Sequence, residues 1–358
     1  MLNIKIELTK NPKAKPDMVN NPPAFGSMTT DHMFVMDYNK EKGWHDARIV
    51  PYSTIQVEPI CMSFHYAQEI FEGMKAFKSK DGNPLLYRPD MNAKRFQRSA
   101  RRVCIPEIPV EDYIQAVTEF VKLEKDWIPT EPETSLYLRP VCFATQASVG
   151  VEAADEYKFF IIACPVKAYH TGFNTDDSCW VETKYSRASE GGTGGDKCGC
   201  NYANTLLPQA NAEARGYTEV VFADGVEHKY IGEISASNIM FVIDGVVVTP
   251  ELDGTILPGI TRDSILSLCR KWDIPCAERK ISVDELRDTL KNGKCTEAMS
   301  LGTAVVIEPI GAFGFEDAGR LTVGDGKPGP ISTRLYNSII AMQHGEAEAP
   351  EGWVVEVK

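Results

Sequence analysis

The stretch GGTGGDKCGCNYA, residues 191–203, sets five glycines around a single lysine, Lys197. Glycine lets a backbone approach a ligand closely and turn where a Cβ would forbid it. The loop therefore reads as a place where chain and ligand could meet. It is not a Walker A loop, which needs Gly-Lys-Ser/Thr at a fixed glycine spacing, because Lys197 follows Asp196 and precedes Cys198. Nor does it fit GxGxxG leaving a strand. Taken alone, Lys197 is a solvated loop lysine, and the chain around it has to argue otherwise.

Working outward, the loop runs into a helical pattern over 202–215 closed by Gly216, then strand patterns at 219–223, 238–243 and 246–249. A helix is expected from Ile260, a capping box at Ser282-Val283-Asp284-Glu285, and a last helix over 333–342. Upstream, helices open after Asp90 and over 110–123, where Tyr113, Ile114, Val117, Phe120 and Val121 make one apolar stripe. Strand patterns lie at 33–38, 84–87, 135–141 and 159–164. The polar, turn-rich AYHTGFNTDDS after Val166 and Lys167 marks a linker. The expected organisation is a small N-terminal α/β domain (1–165), a linker (166–176) and a larger C-terminal domain (177–358). No internal repeat interrupts it.

The whole chain has 358 residues, 43% hydrophobic and 25% charged, which is ordinary globular composition. Its 38 Lys+Arg against 50 Asp+Glu give a net charge of −12, without a basic stretch, which argues against a nucleic-acid partner. The longest apolar run, 159–166, is far short of the roughly 20 residues that span a bilayer. The N-terminal segment has no apolar signal core and its first arginine is Arg48, so a cytoplasmic location is the expectation. Ten scattered cysteines read as reduced thiols. The one close pair, Cys198 and Cys200, has no second pair or histidine to complete a metal site.

Seven segments occur in a set order: FEGMKAF (71–77), RPDMNAKRFQRSA (88–100), SLYLRP (135–140), GGTGGDKCGCNYA, GEISASN (232–238), LPGITRD (257–263) and GTAVVIEPI (302–310). Together they resemble the branched-chain amino acid aminotransferases, pyridoxal 5'-phosphate enzymes of fold type IV, from about residue 22 to the final helix. The resemblance implies a two-domain α+β and α/β architecture with the cofactor in the interdomain cleft. It also implies a homodimer that moves an amino group between leucine, isoleucine or valine and 2-oxoglutarate, giving branched-chain 2-oxo acids and glutamate.

Lys197 is implied as the Schiff-base lysine. A lysine must shed its proton to attack an aldehyde, and once displaced it is the natural base and acid for the proton shift between Cα and C4′. Glu233 matches the carboxylate that pairs with the pyridine nitrogen, and Tyr202 the tyrosine at the cofactor's 3′-oxygen. Arg95 matches the phosphate arginine, a geometry that guanidinium suits, with Arg98, Arg101 and Arg102 as surface or ion-pair neighbours. Ile260 and Thr261, at a helix start where free N–H groups favour an anion, and the Thr303 hydroxyl complete the phosphate set. Thr303 and Ala304 would also meet the substrate carboxylate. Phe25, Tyr66, Phe71, Tyr137 and Arg139 match the substrate pocket, and Tyr137 and Arg139 alternate along a strand so as to share a face.

Two departures stand out. The stretch 304–307 lacks the CxxC of mammalian-type members, and Ala236 stands where they carry threonine. Fold type IV also holds D-amino acid transaminases and aminodeoxychorismate lyases, against which FEGMKAF and SLYLRP favour the branched-chain group. A non-catalytic nucleotide binder is the alternative from another class, which the failed Walker spacing opposes.

Overall fold

The strand expected at 135–141 runs as Thr134–Ala144 in the computed structural model, which describes residues 1–167 and 173–358. The middle of the expected linker, 168–172, lies outside the described residues. Along this strand Leu136, Leu138, Cys142 and Ala144 are fully buried on one face with Tyr157, Phe159, Ile161 and Ala163 of the neighbouring Glu156–Lys167. Tyr137 falls on the other face, clustered with Cys164 and Val166. Strand alternation thus separates the two faces residue by residue. The helices Pro89–Arg102 and Val110–Leu123 press Phe96, Ala100, Tyr113, Val117 and Phe120 into the same core, each large side chain contributing about 1.5–3 kcal/mol.

These elements belong to the first of two compact units, formed by 1–167, 196–199 and 340–358. Among the described residues its sheet has nine strands, ordered Lys5–Ile6, Gly43–Pro51, His32–Asn39, Glu156–Lys167, Thr134–Ala144, Met74–Lys78, Pro84–Tyr87 and Val354–Glu356, with Glu69–Phe71 also pairing to Thr134–Ala144. The division expected at 166–176 assigns 196–199 and 340–358 to the C-terminal half; by packing, both belong here. Val354–Glu356 is the edge strand beside Pro84–Tyr87.

Pro140 controls the middle of this sheet. Toward Glu156–Lys167 the ladder is unbroken from Thr134 to Ala144. On the other side it splits into Glu69–Phe71 and Met74–Lys78. The Pro140 carbonyl accepts the Glu72 N–H at 2.8 Å, so its ring nitrogen faces that same side, where it has no hydrogen to give. Glu72 and Gly73 occupy the resulting interruption.

The second unit, formed by 173–195 and 200–339 among the described residues, carries a mixed sheet ordered Ile231–Ile234, Glu219–Ala223, Asp177–Glu182, Val306–Phe315, Cys295–Gly302, Asn238–Ile243, Val246–Thr249 and Cys276–Glu278. Val181, Val221, Ile239, Phe241 and Phe313 centre its core. The capping box forms, with the Ser282 hydroxyl accepting the Glu285 N–H at 3.0 Å. The helix expected over 202–215 is instead two, Cys200–Ala203 and Leu206–Ala214. Pro208 explains the break, because its ring would clash with the carbonyl four residues back, at Asn204. Gly216, at φ +83°, makes the turn that follows.

One strand residue makes this unit pH-sensitive. Burial, then the charges of Asp177 and Glu213, push the Glu219 carboxyl up from 4.5 to about 7. The folded state holds that proton more tightly than the unfolded chain, so this contribution is complete below about pH 4.5 and is lost as pH rises through about 7. Glu219→Gln is expected to raise the thermal midpoint at pH 8 by a few degrees, about 1–2 kcal/mol, and to change it little at pH 5. Thermal scans at the two pH values check it.

Candidate active site

In the first unit the segment carrying Lys197 lies along FEGMKAF like a short strand. Cys198 bridges to Ile70, the Phe71 N–H donates to the Lys197 carbonyl at 3.1 Å, and the Gly199 N–H donates to the Glu69 carbonyl at 3.3 Å. From the helix Pro89–Arg102, the Ser99 hydroxyl accepts the Lys197 N–H at 2.9 Å. A side chain at 199 would collide with the Glu69 carboxyl, so glycine permits this approach. Held in this way, the Lys197 ammonium sits 4.7 Å from the centre of the Phe71 ring. The Arg139 guanidinium lies at the same distance from that ring and donates to the Tyr137 hydroxyl at 3.0 Å. Phe25 packs edge-on to Tyr137 at 5.0 Å. Gly73 leaves the room that the Tyr137 hydroxyl occupies.

Beneath this cluster the fully buried Glu72 carboxylate meets Arg95, from Nε at 2.7 Å and Nη2 at 2.8 Å. Desolvation pushes the Glu72 carboxyl up, but Arg95, with Lys197 and the Asn92 amide, outweighs it and holds the carboxyl below its usual range. Arg98 pairs with Asp196 and Arg101 with Glu107 at the surface. Burial lowers a second lysine of the segment, Lys75, to about 8.

In the second unit Glu233 is buried, with Arg187 at 2.5 Å and the Leu257 N–H at 3.1 Å on one oxygen and the Asn238 amide at 2.8 Å on the other. Arg187 is itself buried and also donates to the carbonyls of Gly194 and Thr255. Asn238 bonds the Leu257 carbonyl as well, which ties Glu233 to the segment entering the helix Ile260–Lys271. That helix starts at Gly259 with no side-chain cap, unlike the Ser282-capped one, so the N–H groups of its first turn have no partner within the helix. Thr303 and Ala304 lie in the hairpin between Cys295–Gly302 and Val306–Phe315. Val306 closes it at φ +61°, a left-handed conformation costly for a β-branched residue. Tyr202 stands on the short helix Cys200–Ala203.

Phe25, Phe71, Tyr137, Arg139 and Lys197 are therefore brought together, with Arg95 beneath them. Tyr66 stands apart, its hydroxyl donating to the Val149 carbonyl at 2.5 Å. Glu72, Arg187, Asn238 and Ser235 escaped the sequence reading. Glu72 and Asn238 sit inside quoted motifs, whereas nothing near Arg187 marks it. Ser235 lies in the bend that follows the strand Ile231–Ile234. Its buried hydroxyl has no partner among the described residues. Among those residues no group of three His, Cys, Asp or Glu could hold a metal, and no helix is long and apolar enough to cross a membrane.

Comparison with known proteins supplies the family. The Amino-transferase class IV family matches residues 69–313. Branched-chain-amino-acid aminotransferase 2 of Bacillus subtilis (strain 168) is 43% identical over 99% of this chain and 97% of its own. The structure of the Escherichia coli branched-chain amino acid aminotransferase matches with a TM-score of 0.76 at 26% identity, covering 92% of this chain and 99% of that one. The T.th. branched-chain amino acid aminotransferase with pyridoxamine 5'-phosphate gives 0.75 at 25%, covering 91% and 98%. The fold is that of fold type IV, and the chain belongs to the class IV aminotransferases.

Proposed function

We propose that this protein exchanges the amino group between L-leucine, L-isoleucine or L-valine and 2-oxoglutarate, releasing branched-chain 2-oxo acids and glutamate. The observation that carries the reading is the near-full-length likeness to branched-chain enzymes, at 43% identity. As a class IV aminotransferase the protein uses pyridoxal 5'-phosphate, and its residues suit that group. The uncapped helix start at Ile260 and Thr261 suits a phosphate. The buried Ser235 hydroxyl, two residues on from Glu233 in sequence, has no partner among the described residues and suits a polar group of the cofactor.

When bound, the cofactor supplies an aldehyde that condenses with amines and a ring that accepts the electron pair released at the substrate Cα. In this reading Lys197 Nζ holds the aldehyde carbon and then moves the proton between Cα and C4′. Glu233 keeps a proton on the ring nitrogen, and Arg187 and Asn238 keep Glu233 oriented. Arg95, Ile260, Thr261 and Thr303 hold the phosphate, and Tyr202 serves the ring oxygen. Phe25, Phe71 and Tyr137 favour aliphatic side chains, Arg139 answers the distal carboxylate of glutamate, and the turn at Thr303 and Ala304 receives the α-carboxylate.

A homodimer is part of the proposal. Ile60, Phe64, Tyr66, Val149 and Val151 are exposed, Val151 at 86% and Phe64 at 65%. The Tyr66 bond to Val149 and the Ser148 bond to Ile60 join them into one surface, of the kind that marks an interface. Ten cysteines outside any disulfide, Cys104 and Cys200 exposed, suit a reducing compartment such as the cytoplasm.

Borohydride reduction of the holoenzyme followed by peptide mapping is expected to fix the cofactor on Lys197; an adduct on Lys75 would overturn the assignment. Incubation with L-leucine and 2-oxoglutarate should yield L-glutamate by chiral chromatography, and turnover of D-alanine alone would defeat the substrate reading. Sedimentation should show a dimer that Val151→Glu dissociates, whereas a monomeric parent protein would refute the interface.

A further inference from the structure

We propose that Glu72 is a positioning residue for phosphate recognition: it grips the Arg95 guanidinium from behind and holds it in a single orientation. The inference rests on the reading of Arg95 as the phosphate arginine. Four donors converge on this one fully buried carboxylate: Arg95 Nε and Nη2, the Asn92 amide at 2.7 Å and the Gly73 N–H at 3.2 Å. The two arginine bonds go to different oxygens, a fork-on-fork pairing that fixes the guanidinium plane as well as its position. Asn92 also bonds the Gly73 carbonyl at 3.2 Å, tying helix and strand break together. The Glu72 backbone is anchored in turn by its N–H, which donates to the Pro140 carbonyl.

Such bracing has a physical purpose. A long arginine side chain loses rotamer freedom when it is fixed. If folding fixes it, phosphate binding does not have to. The pair also removes most of the penalty for a buried cation, which an acidic partner at hydrogen-bond distance offsets. Lys197 and Tyr113 are the other titratable groups acting on the Glu72 carboxylate.

The test compares pyridoxal 5'-phosphate with pyridoxal, which lacks the phosphate, in absorbance titrations of the full-length apoenzyme. Glu72→Gln keeps the shape and loses the charge. It is expected to weaken the phosphorylated cofactor about tenfold or more, the scale of one charge-assisted bond, with pyridoxal changed less than about twofold. Glu72→Asp should fall between, and Asn92→Ala should shift the ratio in the same direction by less. Equal losses for both ligands, or none, overturn the inference, since a merely structural role cannot sense the phosphate. Arg95→Gln is the control: selective loss there without it in Glu72→Gln sinks the positioning role alone, whereas no selective loss in Arg95→Gln sinks the phosphate reading beneath it. Should Glu72→Gln fail to fold by circular dichroism, Glu72→Asp and Asn92→Ala carry the comparison.

Discussion

A proline in a buried strand has no hydrogen to give its neighbour, and the functional half of the first unit is organised around that deficit. Because Pro140 faces its bare nitrogen toward the FEGMKAF segment, the ladder there is cut between Phe71 and Met74. The cut frees two residues from strand geometry. Glu72 turns its carboxylate to the helix carrying Arg95, and Gly73 gives way to the Tyr137 hydroxyl. The unbroken pairing on the other side keeps Tyr137 and Arg139 in register. One missing N–H thereby separates a stiff wall, which displays Tyr137 and Arg139, from an interrupted one, which houses Glu72.

Charge is handled in the same way in both units, by neutral buried pairs. Arg95 with Glu72, and Arg187 with Glu233, each set a guanidinium against a carboxylate with further amide donors around it. A buried pair of this kind adds little stability by itself, but losing one member leaves an uncompensated charge, at about 3–5 kcal/mol. Such residues are therefore difficult to replace singly. The net charge of −12 has no bearing on this chemistry, since fields at the site come from groups within a few ångströms, and more distant surface charges are screened.

Much of this was legible in the sequence because it is local. The Ser282 cap, the start at Ile260 and the apolar stripe over 110–123 depend on neighbours three or four residues away. So does the shared face of Tyr137 and Arg139, which needs only the period of a strand. What was missed is non-local. Glu233 and Arg187 are 46 positions apart, and neither side chain carries a mark of the other. The segment 196–199 reads as part of the C-terminal half because sequence order says so, and only its pairing with Ile70 and Ser99 moves it. The split at Asn204 differs in kind, because its cause, Pro208, is itself local and lies four residues on.

The make-up of the first unit also bears on how the chain is born. Ile70 waits for Cys198 as its partner, and the edge of the sheet at Leu85–Tyr87 waits for Val354–Glu356. On a ribosome that delivers residues in order, the N-terminal portion emerges first yet closes last, with its border open until Val354–Glu356 has been made. The stretch bearing Lys197 joins it midway. The unit that is first to be made is thus the last to be completed, and the lysine is seated before the sheet that holds it is closed.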